Sequence, residues 1–196
     1  MTAASILLVG AGGHAAACVD VIESDGRFAI AGLVGSAADG GKRVLGYTVL
    51  GTDEDLPRLV SRHPNALVAV GHIDTAEPRI RLFQQLQRLG YALPAIVSPR
   101  AYVSRHAALG AGTIVMHGAI VNAGAVVGSN CIINSQALVE HDAVIADHVH
   151  IATAAVVNGG VRIGTGTFVG SNATVRQGVT IGERCFIAMG NRERGP

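Results

Sequence analysis

Glu140-His141-Asp142 is the set of side chains in this 196-residue sequence best suited to moving a proton. A carboxylate beside an imidazole holds one ring tautomer and raises its basicity, leaving the other nitrogen to accept a proton. A solvated surface cluster would look the same, and spacing alone leaves both readings open. His150 follows nine residues after His141, and Gly159 follows eighteen after it. His63 and His106 sit at loop positions, His117 in a turn and His148 at the end of a repeat, where solvated histidines are expected. Cys131 and Cys185 have no adjacent base to activate them and read as packing residues.

The element that positions these residues is a six-residue repeat running without insertion from Ala101 to Gly190. Its fifteen hexads carry Val, Ile or Leu at the third position every time, from Val103 and Leu109 to Ile181 and Ile187. The first position is always small or β-branched, and Gly or Asn recurs at positions four to six. A 3.6-residue helix cannot keep a period of six on one face. A parallel β-helix can: three hexads make one triangular coil, and the third-position aliphatics point into the prism. Five coils stack to roughly 24 Å at about 4.8 Å per layer. On this spacing Gly159 lies one coil directly above His141, and Cys131 and Cys185 are three coils apart, too far to bridge. His150 is half a coil from His141, on another side of the prism, so the two share a site only if a neighbouring subunit supplies one of them.

Residues 1–97 obey a different grammar. The apolar run Ile6-Leu7-Leu8-Val9 leads through Gly10-Ala11-Gly12-Gly13-His14 into an Ala-rich helix ending near Glu23. Strands are expected at Phe28 to Val34 and Ala66 to Gly71, with helices from Thr52 to Arg62 and from Thr75 to Gly90. Pro94 to Pro99 reads as the joint. This is a small Rossmann-like α/β domain, residues 1–97, followed by a β-helix domain, residues 98–196. Gly10, Gly12 and Ala15 fit a phosphate-binding turn at a helix N-terminus. A dinucleotide would want an acid after the second strand, where Val34-Gly35-Ser36 stands instead. A purely structural turn and the pyrophosphate of a nucleotide-linked sugar are the other readings, and the β-helix favours the last.

Composition narrows the field further. Only 15% of residues are charged and the net charge is +1, so neither nucleic acid nor a membrane surface is an expected partner. No apolar run nears the ~20 residues of a spanning helix. Ile6 to Val9 lacks a basic flank and reads as a buried strand rather than a signal peptide. Three cysteines, an odd number, suit a reducing cytoplasm.

The Gly-Ala-Gly-Gly-His-Ala loop, the small α/β domain and hexads containing Asn134-Ser135 and Val139-Glu140-His141-Asp142 together resemble the nucleotide-amino-sugar N-acetyltransferases, close relatives of the sialic acid O-acetyltransferases. The resemblance covers essentially the whole chain. It implies a left-handed β-helix, a homotrimer and acetyl-CoA as co-substrate, with no metal. It implies His141 as proton acceptor and Asp142, where Glu is more usual, as the acid that raises its basicity. Gly12, Gly13, His14, Gly71, Asn134 and Glu140 would contact the nucleotide-sugar. His150, Ser171 and Met189 would contact acetyl-CoA, and the Gly159 N–H would face its thioester carbonyl.

Two departures follow. Acidic residues that contact the base in relatives are replaced by Val34-Gly35, leaving uridine and guanosine both open. Relatives also continue through a further partial coil and a basic segment, whereas this chain closes at Asn191-Arg192-Glu193-Arg194-Gly195-Pro196, so the distal coenzyme site is expected to be shorter. Three other functions compete: O-acetylation with the same histidine, a non-catalytic β-helix binding module, and a γ-type carbonic anhydrase with zinc held between subunits by histidines.

Overall fold

Ile6, Leu7, Leu8 and Val9 have no polar face to offer solvent, so the strand they form must be central. In the computed structural model, which describes residues 3–193, it is. β1 (Ala4–Val9) pairs in parallel with β2 (Phe28–Val34) on one side and β5 (Asn65–Val68) on the other. A hairpin that sequence reading missed, β3 (Arg43–Val44) and β4 (Tyr47–Gly51), completes the order β3-β4-β2-β1-β5. Its strands are short and set among glycines, so no alternating pattern announces them.

Ile6 and Leu8 pack with Ala15, Cys18 and Ile22 of helix α1 (Gly13–Asp25). Leu7 and Val9 pack on the opposite face, with Leu82, Phe83 and Leu86 of helix α3 (Glu77–Arg88). The helix expected from Thr52 to Arg62 shrinks to a turn, Asp53–Asp55, and the single-turn helix α2 (Leu56–Leu59). Asp55 accepts from the Thr52 N–H at 2.8 Å, capping that turn. The third strand ends at Val68, and residues 69–72 turn toward the β-helix.

The hexads fold as a left-handed parallel β-helix of two-residue strands in three stacked sheets. One face carries Leu138–Val139 and Val156–Val157, the next Val144–Ile145 and Arg162–Ile163, the third Ile132–Ile133, His150–Ile151 and Phe168–Val169. First- and third-position side chains fill the prism as one continuous core from Val115 to Ile187. Each buried Val or Ile adds about 1.5–3 kcal/mol over its exposed state. The sixth position is left-handed in every hexad from Gly112 to Gly190, even where Asn130, Gln136, Asp142, His148, Ala154, Asn172 or Arg184 stands there.

The joint is more than a linker, because Ile96–Val97 within it pairs with Ile114–Val115 as the first strand of the third face. Second-position side chains on that face point out of the prism. Ile96, Ile114 and Ile132 use this direction to pack into the core shared with β1 and α1. The next residues in the same column are His150, Phe168 and Phe186. The seam between the two halves therefore passes from apolar packing to polar chemistry at His150. The chain continues through Arg192–Glu193, which pairs with Thr174–Val175. Arg194, Gly195 and Pro196, the end of the segment expected to shorten the coenzyme site, lie outside the described residues.

Candidate active site

His141 stands at the corner between the first two faces, and the turn there is tight because Asp142 takes φ 59°. That turn brings the Asp142 carboxylate to the ring, and His141 Nδ1 donates to Asp142 Oδ2 at 2.9 Å. The bond fixes the tautomer and leaves the Nε2 lone pair free. Glu140 Oε2 accepts from the His141 backbone N–H at 3.1 Å and from Asn122 Nδ2 at 2.9 Å. The hydrogen bond to Asp142 raises the His141 pKa above its ordinary value, and the Asp142 and Glu140 charges add to the shift.

Gly159 stacks against this ring from the next coil, as the eighteen-residue spacing requires. A Cβ built on Gly159 would stand 2.6 Å from His141 Nε2, so only glycine leaves the imidazole room. The Gly159 carbonyl accepts from Gly178 N at 3.0 Å, while its own N–H donates to no backbone carbonyl among the described residues. A proton acceptor and a free backbone donor thus share one corner, the pairing that acyl transfer needs.

The second cluster lies at the seam. His14, Gly71, His72, Asn134 and His150 line a cavity of about 540 Å³. His150 Nδ1 donates to the His72 carbonyl at 2.8 Å, which leaves Nε2 to accept from Asn134 Nδ2 at 3.2 Å. His72 and Phe168 pack edge-on against the His150 ring. Burial drives these imidazoles neutral: the pKa falls to about 3 for His14, about 3 for His72 and about 4 for His150.

Beneath this seam lies Arg79, in the first turn of α3 and wholly buried. Its Nη1 donates to the carbonyls of Val68 and Val70, each at 2.7 Å, and its Nε to Asn130 O at 3.1 Å. Nη2 has no partner. A second cavity, of about 530 Å³, opens at the carboxyl ends of the parallel strands, between Gly10-Ala11, Val34-Gly35-Ser36, Asp53-Glu54 and Arg81. In open α/β sheets this crevice is where ligands bind. Val70 borders it and Gly71 borders the seam cavity, so the two cavities meet at that loop.

The structure brings His14, Gly71, Asn134 and His150 together, and separately Glu140, His141, Asp142 and Gly159. Within one chain these groups occupy different edges of the prism. Ser171 and Met189 stack one coil apart, with Gly190 N on Ser171 O at 2.9 Å, along the edge that carries Asn134. Gly12 and Gly13 open α1, where an added Cβ meets nothing within 4 Å. Sequence reading missed His72, Arg79 and the Asp53-Glu54 wall. It also misjudged His117, which is not merely solvated: it joins the halves through Asp20 at 2.8 Å and Ser98 at 2.6 Å. His148 likewise packs edge-on against Phe83.

A left-handed β-helix of hexads, with a carboxylate-held histidine packed against a glycine of the next coil, is the architecture of a hexapeptide-repeat acetyltransferase. Residues 5–86 match the PglD N-terminal domain family, and residues 160–191 match the hexapeptide repeat of succinyl-transferase. Comparison with curated proteins gives no match. Among solved structures, a histidine variant of the perosamine N-acetyltransferase from Caulobacter crescentus, in complex with CoA and GDP-perosamine, is 33% identical over 96% of this chain and 88% of that one, with a TM-score of 0.90. The acetyltransferase domain of PglB from Neisseria gonorrhoeae is 30% identical over 98% of this chain and 93% of that one, with a TM-score of 0.88. The same domain in complex with acetyl coenzyme A covers 96% of this chain and 95% of its own at 30% identity, with a TM-score of 0.85. The chain belongs to the nucleotide-amino-sugar N-acetyltransferase family.

Proposed function

We propose that the protein transfers the acetyl group of acetyl-CoA to the amino group of a nucleotide-linked deoxy-amino-sugar, a step of surface glycan biosynthesis. The observation that carries this is the corner where His141, held at Nδ1 by Asp142, turns Nε2 to Gly159 of the next coil. The nucleotide lies in the crevice of the α/β half, its diphosphate crosses Gly12, Gly13, His14 and Gly71, and the sugar enters the seam cavity beside Asn134 and His150.

Acetyl-CoA supplies the activated acetyl group, and His150, Ser171 and Met189 line its path. His141 takes the proton released as the sugar nitrogen bonds to the acetyl carbon; Asp142 holds the ring and Glu140 orients the amine. The Gly159 N–H faces the carbonyl oxygen as negative charge develops there. The thiolate of the coenzyme departs and takes up a proton.

The His141 corner and the seam cavity complete one another only across a subunit boundary, so the working form is a homotrimer. Exposed apolar side chains flank the His141 corner on its two faces: Tyr102 and Ile120 on one, Val126 on the other. Residues 1–97 form the nucleotide-sugar domain and 98–196 the acetyl-transfer domain. No helix among the described residues is long and apolar enough to cross a membrane, and a cytoplasmic location suits the coenzyme. A thiol-release screen with acetyl-CoA against GDP- and UDP-linked amino-sugars tests the assignment. Release dependent on an amino-sugar is expected, and its absence across the panel would overturn the reading.

A further inference from the structure

We propose that Arg79 supplies the buried counter-charge for the diphosphate of the nucleotide-sugar, acting through the loop at Val70-Gly71 without touching the ligand. This rests on the acceptor being a nucleotide-linked sugar.

A guanidinium taken wholly out of water is costly unless it meets a compensating charge. Arg79 meets none. Its partners are the three carbonyls of Val68, Val70 and Asn130. The ionisable groups that act to hold its proton are the thiols of Cys18 and Cys131, both pushed up to about 12 by burial and therefore neutral. No carboxylate pairs with it among the described residues. Three carbonyl dipoles compensate a buried guanidinium only in part, and its Nη2 has no partner among the described residues, so the retained charge calls for an anion that is not part of the chain.

The position says which anion. The guanidinium hangs from the carbonyl of Val70, where the nucleotide crevice meets the seam cavity at Gly71. A ligand with its base in one cavity and its sugar in the other must cross this loop with the group that joins them, the diphosphate. The N-terminus of α1 at Gly12-Gly13 faces the same crossing and contributes its own partial positive charge. The reach of the Arg79 charge is visible in His14 and His150 on the cavity wall, both held neutral in part by it. Those imidazoles bring no competing cation, and Arg81 on the crevice wall is already paired with Asp53 at 3.3 Å, which leaves Arg79 and the helix end as the uncompensated positive charge at the crossing.

The test separates charge from hydrogen bonding. Arg79→Lys keeps the charge and loses the fork, whereas Arg79→Gln keeps donors and loses the charge. Binding of inorganic pyrophosphate, GDP, UDP and the uncharged nucleosides guanosine and uridine is measured by calorimetry on the full-length wild type and both variants. Arg79→Gln is expected to weaken pyrophosphate and the nucleoside diphosphates about 10-fold, as one unit charge does across most of a nanometre at intermediate dielectric. Nucleosides and acetyl-CoA should be unaffected, and Arg79→Lys should retain most of the diphosphate affinity. Equal losses in both variants, or equal losses for diphosphates and nucleosides, would make Arg79 a structural clamp and overturn the proposal. Should Arg79→Gln fail to fold, the wild-type Arg79 guanidinium NMR signals decide: they shift on pyrophosphate addition if the proposal holds, and stay still if it does not. Pyrophosphate binding that depends on the Arg79 charge, in a protein that acetylates no amino-sugar, would leave this inference standing and overturn only the assigned reaction.

Discussion

Replacing Gly159 by alanine perturbs one contact and almost nothing else. The Gly159 backbone is outside the left-handed region, so an L side chain is not strained there. The added methyl carbon would lie 2.6 Å from His141 Nε2, 2.7 Å from Cε1 and 3.2 Å from Nδ1. Ordinary contact begins at 3.4 Å, so the ring must retreat by about 0.8 Å or more (3.4 − 2.6), and it is free to do so at an exposed corner. A displacement near 1 Å from a productive pose costs about 10²-fold in rate. The Gly159 N–H survives the change, so the loss measures the ring's position rather than the backbone donor. Thiol-release kinetics should show kcat falling about 100-fold with the thermal midpoint unchanged. In a His141→Ala background, itself reduced about 10²–10⁴-fold, Gly159→Ala should cost nothing more. Wild-type turnover in Gly159→Ala, or an undiminished cost without His141, would refute the stacked-corner argument.

Asp142→Asn removes the hydrogen-bonded charge that raises the His141 pKa, so the proton-free ring persists to lower pH. The acid limb of kcat/KM should move to lower pH while the plateau falls, and an unmoved limb would dissociate Asp142 from the base. Gly12→Val places a side chain where the fold has open space, so KM for the nucleotide-sugar should rise about 10-fold or more with KM for acetyl-CoA and the thermal midpoint unchanged. Equal damage to both substrates would mean that the glycine serves only the fold. His14, His72 and His150 are neutral when folded but titrate near 6.5 when unfolded, so the unfolded chain gains protons first as pH falls. Stability should decline from about pH 6.5 down toward pH 4 for His150 and pH 3 for His14 and His72, by about 2 kcal/mol per ring at pH 5. Urea unfolding at pH 7 and pH 5 reads this directly, and a flat profile would mean the rings are not buried neutral. An analytical centrifuge should show a trimer, and an active monomer would contradict a site shared between subunits.

The β-helix was legible because one inward aliphatic every six residues fits no other local geometry, and the same arithmetic placed Gly159 one coil from His141 on the same corner. Left-handed sixth positions were half legible: Gly124 and Asn130 advertise them, Ala154 and Arg184 do not. The seam was hidden because it depends on docking. His72 reaches His150 across 78 residues of sequence. Arg79 reads as one more polar residue of an amphipathic helix, yet the β-helix face closes over it through Asn130. No acid stands directly after β2, but Asp39 lines the crevice five residues beyond that strand, and Asp53 and Glu54 enter it after β4, a strand with no sequence signature.

Acetyl transfer to nitrogen is tested most directly by the products from paired acceptors, one nucleotide-linked sugar bearing the amino group and its partner bearing a hydroxyl at the same carbon. With acetyl-CoA and wild-type protein, mass spectrometry should find one acetyl group gained by the amino-sugar for each thiol released, and none on the hydroxyl partner. The His141→Ala protein should form that product at least 100-fold more slowly. Acetylation of the hydroxyl partner at a matching rate, or thiol release with neither sugar, would contradict the account.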